Sequence, residues 1–210
     1  MSARDDILAA VRAATASAPE VAPIDRGYRR TPGTSRDSDT DSDAVLDLFA
    51  ERVADYRAEV VTCDVDGLAA TVQAQLSGAG APVVVPPEVG LDLGDVTTAI
   101  DRPGSPLSAA DLDGAYAVVT AARVGIAETG TIVLDHAPDQ GRRALTLVPD
   151  RHVCIVRADQ VVASVPEAVA QLDPMRPLTW ISGPSATSDI ELDRVEGVHG
   201  PRTLIVVVVR

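Results

Sequence analysis

Residues 115–136 read AYAVVTAARVGIAETGTIVLDH. Two apolar runs, Ala115–Ala121 and Ile126–His136, follow one another with too few residues between them for a helix. Strands joined this closely pair as a hairpin, because a parallel pair needs a crossover of a dozen residues or more. The second run is expected as one strand with a bend. Outside this window strands and helices alternate. Glu59–Cys63 (EVVTC) is a short strand, Asp66–Leu76 is helical with Gly78 or Gly80 as its stop, and Pro82–Pro86 encloses a buried VVV strand. Strands are also predicted at Ala144–Val148, His152–Val156, Thr179–Ser182 and Thr203–Val209. Ser164 opens a helix with a Ser-x-x-Glu box to Glu167 and Pro166 in the first turn. Valine-rich runs separated by helices point to an α/β fold. The expected architecture has helices on both faces of a mixed, largely parallel sheet.

Upstream, Asp43 is placed to cap a helix running to Arg57, with Val45, Leu48, Phe49 and Val53 at helical spacing. Ala3–Ala16 forms an amphipathic helix with Ile7, Leu8 and Val11 on one stripe. Between them lies a stretch of Pro, Gly, Ser, Thr, Asp and Arg that cannot bury enough apolar surface to fold alone. The chain therefore divides into an N-terminal helix (1–17), a mobile polar linker (18–43) and an α/β domain (44–210). The first helix either docks a partner or packs on the domain.

The formal net charge is −13, and all 18 basic residues are arginine. An acidic surface repels phosphate backbones, which excludes nucleic acid as a partner. The same surface suits a salt-loving host and predicts a higher melting temperature in molar KCl than in dilute buffer. The longest apolar run, Leu204–Val209, is too short to span a bilayer, and no secretory leader is legible. Cys63 and Cys154 sit alone in apparent strands, which argues for a reduced, cytoplasmic chain without cluster or zinc ligation.

Chemistry-bearing residues gather in four stretches. Ala127-Glu128-Thr129-Gly130-Thr131 interrupts an apolar strand with a carboxylate and two hydroxyls. Glu128 there is either a nucleophile, base or ligand clamp, or a carboxylate satisfied by its neighbours. Gly130 permits a bulge or a close backbone approach. Pro149-Asp150-Arg151-His152 enters a strand, and His152 is a titratable group. Ile181–Glu191 (ISGPSATSDIE) reads as strand, tight turn and helix, with Ser188 and Glu191 forming a capping box. Gly183, Pro184, Ser185 and Thr187 would then precede a helix N-terminus, a natural seat for an anion. Capping explains Glu191 and the helix dipole explains Asp189 as cheaply as catalysis does. Gly197–Arg202 (GVHGPR) turns into the last strand and sets His199 beside Gly200. Asp189, Glu191 and His199 are metal-competent, but nothing in the sequence fixes their geometry, so no metal site is assigned. There is no phosphate-loop or dinucleotide fingerprint.

These motifs, AETGT, Pro-x-x-His, GPSATSDIE and GVHGPR, occur in the order of the lactate-utilisation protein C (LUD domain) family, which the chain resembles from about Val45 onward. The resemblance implies the three-layer fold shared with sugar-phosphate isomerases, CoA transferases and 5-formyltetrahydrofolate cyclo-ligase. It implies a role in oxidation of L-lactate to pyruvate beside a cysteine-rich subunit and an iron–sulfur subunit. Iron–sulfur clusters are expected on those partners, with no cofactor in this chain. Carried over by motif, the expected ligand-binding positions are Glu128, Thr129, Gly130, Thr131, Gly183, Pro184, Ser185, Thr187, Asp189, Glu191, His199 and Gly200. Glu128 and His199 are the candidates for catalysis. The expected ligand is a small anion, at a cleft near the C-terminal ends of the strands. Two other readings stand beside this one: a free-standing enzyme acting on an acyl-CoA, folate or phosphosugar, and a regulatory or scaffolding protein.

Overall fold

The computed structural model describes residues 2–18, 23–24, 27, 39–187, 195–196 and 200–210. Its centre is a wholly parallel sheet of β1 (Glu59–Cys63), β2 (Val83–Val85), β3 (Thr98–Ile100), β4 (Ala117–Ala121), β7 (Arg151–Arg157) and β12 (Thr203–Val209). The strand order is β1-β12-β7-β4-β2-β3. A second sheet, in the order β8-β5-β6-β9, holds β5 (Val124–Ile126), β6 (Thr131–Leu134), β8 (Val161–Val162) and β9 (Thr179–Ile181). The run Ala115–Ala121 does not pair with Ile126–His136 as expected: it joins the parallel sheet as β4, and the antiparallel pairs of this region are β5 with β6 and β6 with β9 in the second sheet.

Strand alternation sorts the core into two sides. Cys154, Val156, Leu204, Val206 and Val208 pack with Leu46, Phe49 and Val53 of α2 (Asp39–Asp55) and with Ile132 and Leu134 of the second sheet. Val153, Ile155, Ile205, Val207 and Val209 face the other way, onto Val72 and Leu76 at α3 (Leu68–Gln75). With both faces covered, the strands need no polar alternation, and the TLIVVVV run of β12 is buried from Leu204 to Val209.

Several sequence expectations are corrected. The run Ile126–His136 is two strands, not one bent strand. Its AETGT stretch folds as the turn between β5 and β6, with Ile126 paired to Thr131. Ala144–Val148 is not a strand. Arg143–Thr146 is a 3-10 helix whose Leu145 packs against Val84, Leu112 and Val118. Its approach is fixed by a two-point bond from Arg142 to the buried Asp101, at 3.0 Å each. A short apolar run has the same composition in either conformation, so periodicity cannot decide. Helix α2 begins at Asp39, so the end of the polar stretch is its first turn. The rest of the 18–43 linker lies largely outside the described residues.

Helix α5 (Val165–Gln171) starts at Ser164 as predicted, but its box is shifted. Glu167 accepts from the N–H of Ala163 at 3.1 Å, and the buried Ser164 hydroxyl has no partner among the described residues. Helix α4 (Ala109–Asp113) was not predicted. Its Ser108–Asp111 box is the aspartate version of the capping motif. Helix α1 (Ala3–Thr15) forms where expected and buries none of its residues.

Candidate functional site

The first residues of β7 and β12 lie side by side, with Thr203 paired to Arg151 and Leu204 to His152. Arg202 bonds Asp150 through two guanidinium nitrogens at 2.7 Å each, and the N–H of Thr203 donates to the Asp150 carbonyl at 3.1 Å. The guanidinium holds the Asp150 carboxyl below the usual carboxylate range. The N–H of Ser185 donates to the Pro201 carbonyl at 2.8 Å. Three stretches far apart in sequence, around residues 150, 184 and 201, are thereby tied together at one end of the sheet.

A cavity of about 270 Å³ opens there, between the parallel sheet and β9, the edge strand of the second sheet. His152 and Leu204 line its inner side, Arg143 and Leu147 another, and Thr179–Ser185 a third, with Gly200 and Pro201 closing it. His152 is 1% exposed, and its Nε2 bonds the buried Thr120 hydroxyl at 2.8 Å. That is its only hydrogen bond to the described protein, which leaves Nδ1 without a protein partner among the described residues. Burial pushes the His152 pKa down to about 4, so the imidazole is neutral at physiological pH.

Arg143 supplies the cation of this cavity. Its Nη1 donates to the Thr179 hydroxyl at 3.3 Å. The same hydroxyl lies 2.9 Å from His136 Nε2, and His136 Nδ1 lies 2.9 Å from the Gly141 carbonyl. A carbonyl only accepts, so Nδ1 carries a proton. In the neutral ring Nε2 then accepts from Thr179, which in turn receives the Arg143 bond. His136 adopts φ of 56°, unusual for a residue other than glycine, and its N–H bonds the Gln140 side chain.

A second line of hydroxyls reaches the cavity from AETGT. Thr129 Oγ1 lies 2.7 Å from Thr131 Oγ1, and Thr131 Oγ1 lies 2.8 Å from Ser182 Oγ. Both neighbouring glycines press on the end of α2. A Cβ on Gly130 would sit 2.5 Å from the Arg52 carbonyl carbon and oxygen, and one on Gly183 would sit 2.5 Å from Tyr56 Cβ and 2.8 Å from Tyr56 O. Their φ values of 57° and 80° are left-handed as well. The close backbone approach read from Gly130 is therefore present, against a helix end.

Comparison with known proteins places this architecture. The LUD domain model matches residues 109–209. A Deinococcus radiodurans protein named lactate utilization protein C is 50% identical over 171 residues, 79% of each chain. The chain belongs to this family. The Bacillus subtilis lactate utilization protein C is 26% identical over 76% of each chain. A crystal structure of a DUF162 family protein from Deinococcus radiodurans superposes with a TM-score of 0.68 at 43% identity, covering 80% of this chain and 98% of that one.

The four motifs by which the LUD family was legible divide in the structure. Gly183, Pro184, Ser185 and Gly200 line the cavity, as does His152 of the Pro-x-x-His motif. Thr129 and Thr131 stand behind Ser182 without lining it. Glu128 does not join them. Its side chain is exposed at the turn and has no partner among the described residues, because the β5–β6 turn holds it by its backbone N–H, which bonds the Ala163 carbonyl at 3.0 Å. Thr187 belongs to β10 (Ala186–Thr187), which pairs with β11 (Val195–Glu196). Asp189, Glu191, His199 and the helix predicted from Ser188 lie outside the described residues.

The cavity sits at the amino ends of β7 and β12, not at carboxyl ends as expected. The carboxyl side near β2 and β4 is filled by residues 135–142, where the N–H of Ala121 donates to the Asp139 carbonyl and Gly141 packs on Pro86 and Leu145. The N–H of Ser185, one of the donors an anion seat would use, is spent on Pro201. Sequence reasoning missed Arg143, Thr179 and Ser182. Arg143 was hidden because its surroundings read as a strand.

Proposed function

We propose that this chain is the non-redox member of an L-lactate utilisation system in the cytoplasm, and that its cavity binds a small carboxylate. Membership in the lactate utilization protein C family supports the pathway. The observation that carries the ligand is the pairing of the neutral, open Nδ1 of buried His152 with the Arg143 guanidinium in one cavity. A ring nitrogen that has no protein partner among the described residues is free to bond a ligand. With a net charge of −13 the long-range field opposes any anion, so a local cation has to hold it. Arg143 would take the carboxylate, and His152 with Ser182 would meet uncharged oxygen atoms further in.

Electrons would leave through partner chains, an iron–sulfur subunit and a cysteine-rich subunit. The cysteines here make a poor ligand set. Cys63 and Cys154 are on β1 and β7, two strand spacings apart, which at ~4.8 Å per spacing is about 10 Å before their offset along the strands is counted. Burial also pushes the Cys154 thiol up to about 12, which disfavours the thiolate that binds metal.

Deleting the gene should abolish growth on L-lactate while leaving growth on glucose intact, and a His152→Gln copy should fail to restore it. Undiminished growth of the deletion strain on L-lactate would sink the proposal. The reading of Glu128 as a nucleophile toward acyl-CoA, folate or phosphosugar draws no support from an exposed carboxylate outside the cavity.

A further inference from the structure

Away from this cavity, two surface features are apolar, an exposed helix and a groove whose lining is continuous with the core. One is helix α1. Its capping box is complete, with Ser2 and Asp5 bonded reciprocally, yet Ile7 and Val11 are 64% and 53% exposed. A helix of 13 residues that buries none of its side chains is marginal in water even when well capped. Its apolar stripe also carries cations at both ends. Arg4, Ile7, Leu8, Val11 and Arg12 fall at three- and four-residue spacing on one face, while Asp5 and Asp6 fall outside that stripe.

The other feature is a groove of about 450 Å³ at the β3 edge of the parallel sheet, on the side opposite β1. Val85, Val89, Leu91, Leu93, Val96 and Ile100 supply its apolar lining. Its border is acidic. Asp92 lines it, and exposed Glu88 and Asp95 adjoin its lining residues in the chain. The groove thus presents an apolar floor with carboxylates around it, and α1 presents an apolar stripe with guanidinium groups at its ends.

We infer that α1 of one copy of this chain docks in the β3-edge groove of a second copy, giving a reciprocal two-fold dimer. Charge complementarity selects the occupant in a protein whose surface is otherwise repulsive to itself. The helix buries nothing on its own domain. Residues 16–38, which join it to α2, cover tens of ångströms when extended, at roughly 3.3 Å per residue, enough to reach a neighbouring copy. Two helices filling two identical grooves close the assembly and leave no open end. This inference is independent of the ligand and of the lactate pathway.

Sedimentation equilibrium of the full chain across micromolar concentrations tests it. A dimer is expected, with Ile7→Asp raising its dissociation constant about tenfold or more through loss of one buried apolar side chain from each of the two docked helices. The pair Arg4→Glu with Arg12→Glu should weaken it similarly, as should Glu88→Arg with Asp95→Arg. Combining the two pairs should restore association. Both sets of positions are exposed, so folding, followed by circular dichroism, should be unchanged. A monomer throughout the range would overturn the inference, including one whose α1 amides are protected by docking on its own domain. A dimer indifferent to Ile7→Asp, or reversals that do not rescue each other, would overturn it equally.

Discussion

The turn at Ala127–Gly130 and the wall at Ser182–Gly183 meet through one line of hydroxyls, yet they differ in what their polar groups face. The first carries a carboxylate and looks like chemistry. In the fold, Glu128 points to solvent and the turn's fixed point is Gly130 against the α2 backbone. The second carries no ionisable group and looks like a turn, but it borders the cavity that holds His152 and Arg143. A charged residue in an apolar strand suggests function only while the strand continues through it. Here the strand breaks at the charge, and the charge goes outward with the turn.

This contrast can be broken by substitution. The largest effect is expected at the two glycines. Gly130→Ala and Gly183→Ala place a Cβ into backbone or Cβ atoms at 2.5 Å with left-handed φ, and each should cost ~3 kcal/mol or more in urea unfolding. Gly183→Ala should also disturb ligand binding, because Gly183 lines the cavity and Gly130 does not. Equal effects on binding would erase the distinction.

Next comes His152. Its folded pKa of about 4 lies below the ordinary 6.5, so as pH falls through that window the unfolded chain takes up a proton that the folded chain refuses. Folding stability at His152 is intact above pH 6.5 and declines toward pH 4, by up to roughly 3 kcal/mol. His152→Gln should remove this slope, leaving only the shared background of the carboxylates. Unfolding curves at neutral and acid pH for both proteins measure it, and parallel slopes would refute a buried neutral imidazole.

A smaller loss is expected for Thr131→Val, which cuts the link between Thr129 and Ser182 at a buried hydroxyl and should cost about 1–2 kcal/mol. The smallest is Glu128→Gln. An exposed carboxylate without a described partner should change stability by no more than ~0.5 kcal/mol.

Much of the fold was legible because burial on both faces writes itself as valine runs. β1 and β12 fall at their predicted residues, and β2 lies inside its predicted run. What escaped was brief or ambiguous. β3 and β8 are too short to show a period, and Leu145 reads identically in a strand and in a 3-10 helix. The site was legible in part. Gly183 and Ser185 were singled out by turn chemistry and Gly200 by the family resemblance, and they do line the cavity. Arg143 was not, because its place depends on Arg142 meeting Asp101 from a distant segment. His152 looked ordinary at the entrance to a strand. Its importance comes from neighbours that only the sheet brings together, Thr120 from β4 and the cavity floor from β12.

The most direct test is calorimetric titration of L-lactate and pyruvate into the wild-type protein, His152→Gln and Glu128→Gln. Saturable binding to the wild type is expected, with a dissociation constant raised about tenfold or more in His152→Gln and no change in Glu128→Gln. Binding lost in Glu128→Gln but kept in His152→Gln would contradict this expectation.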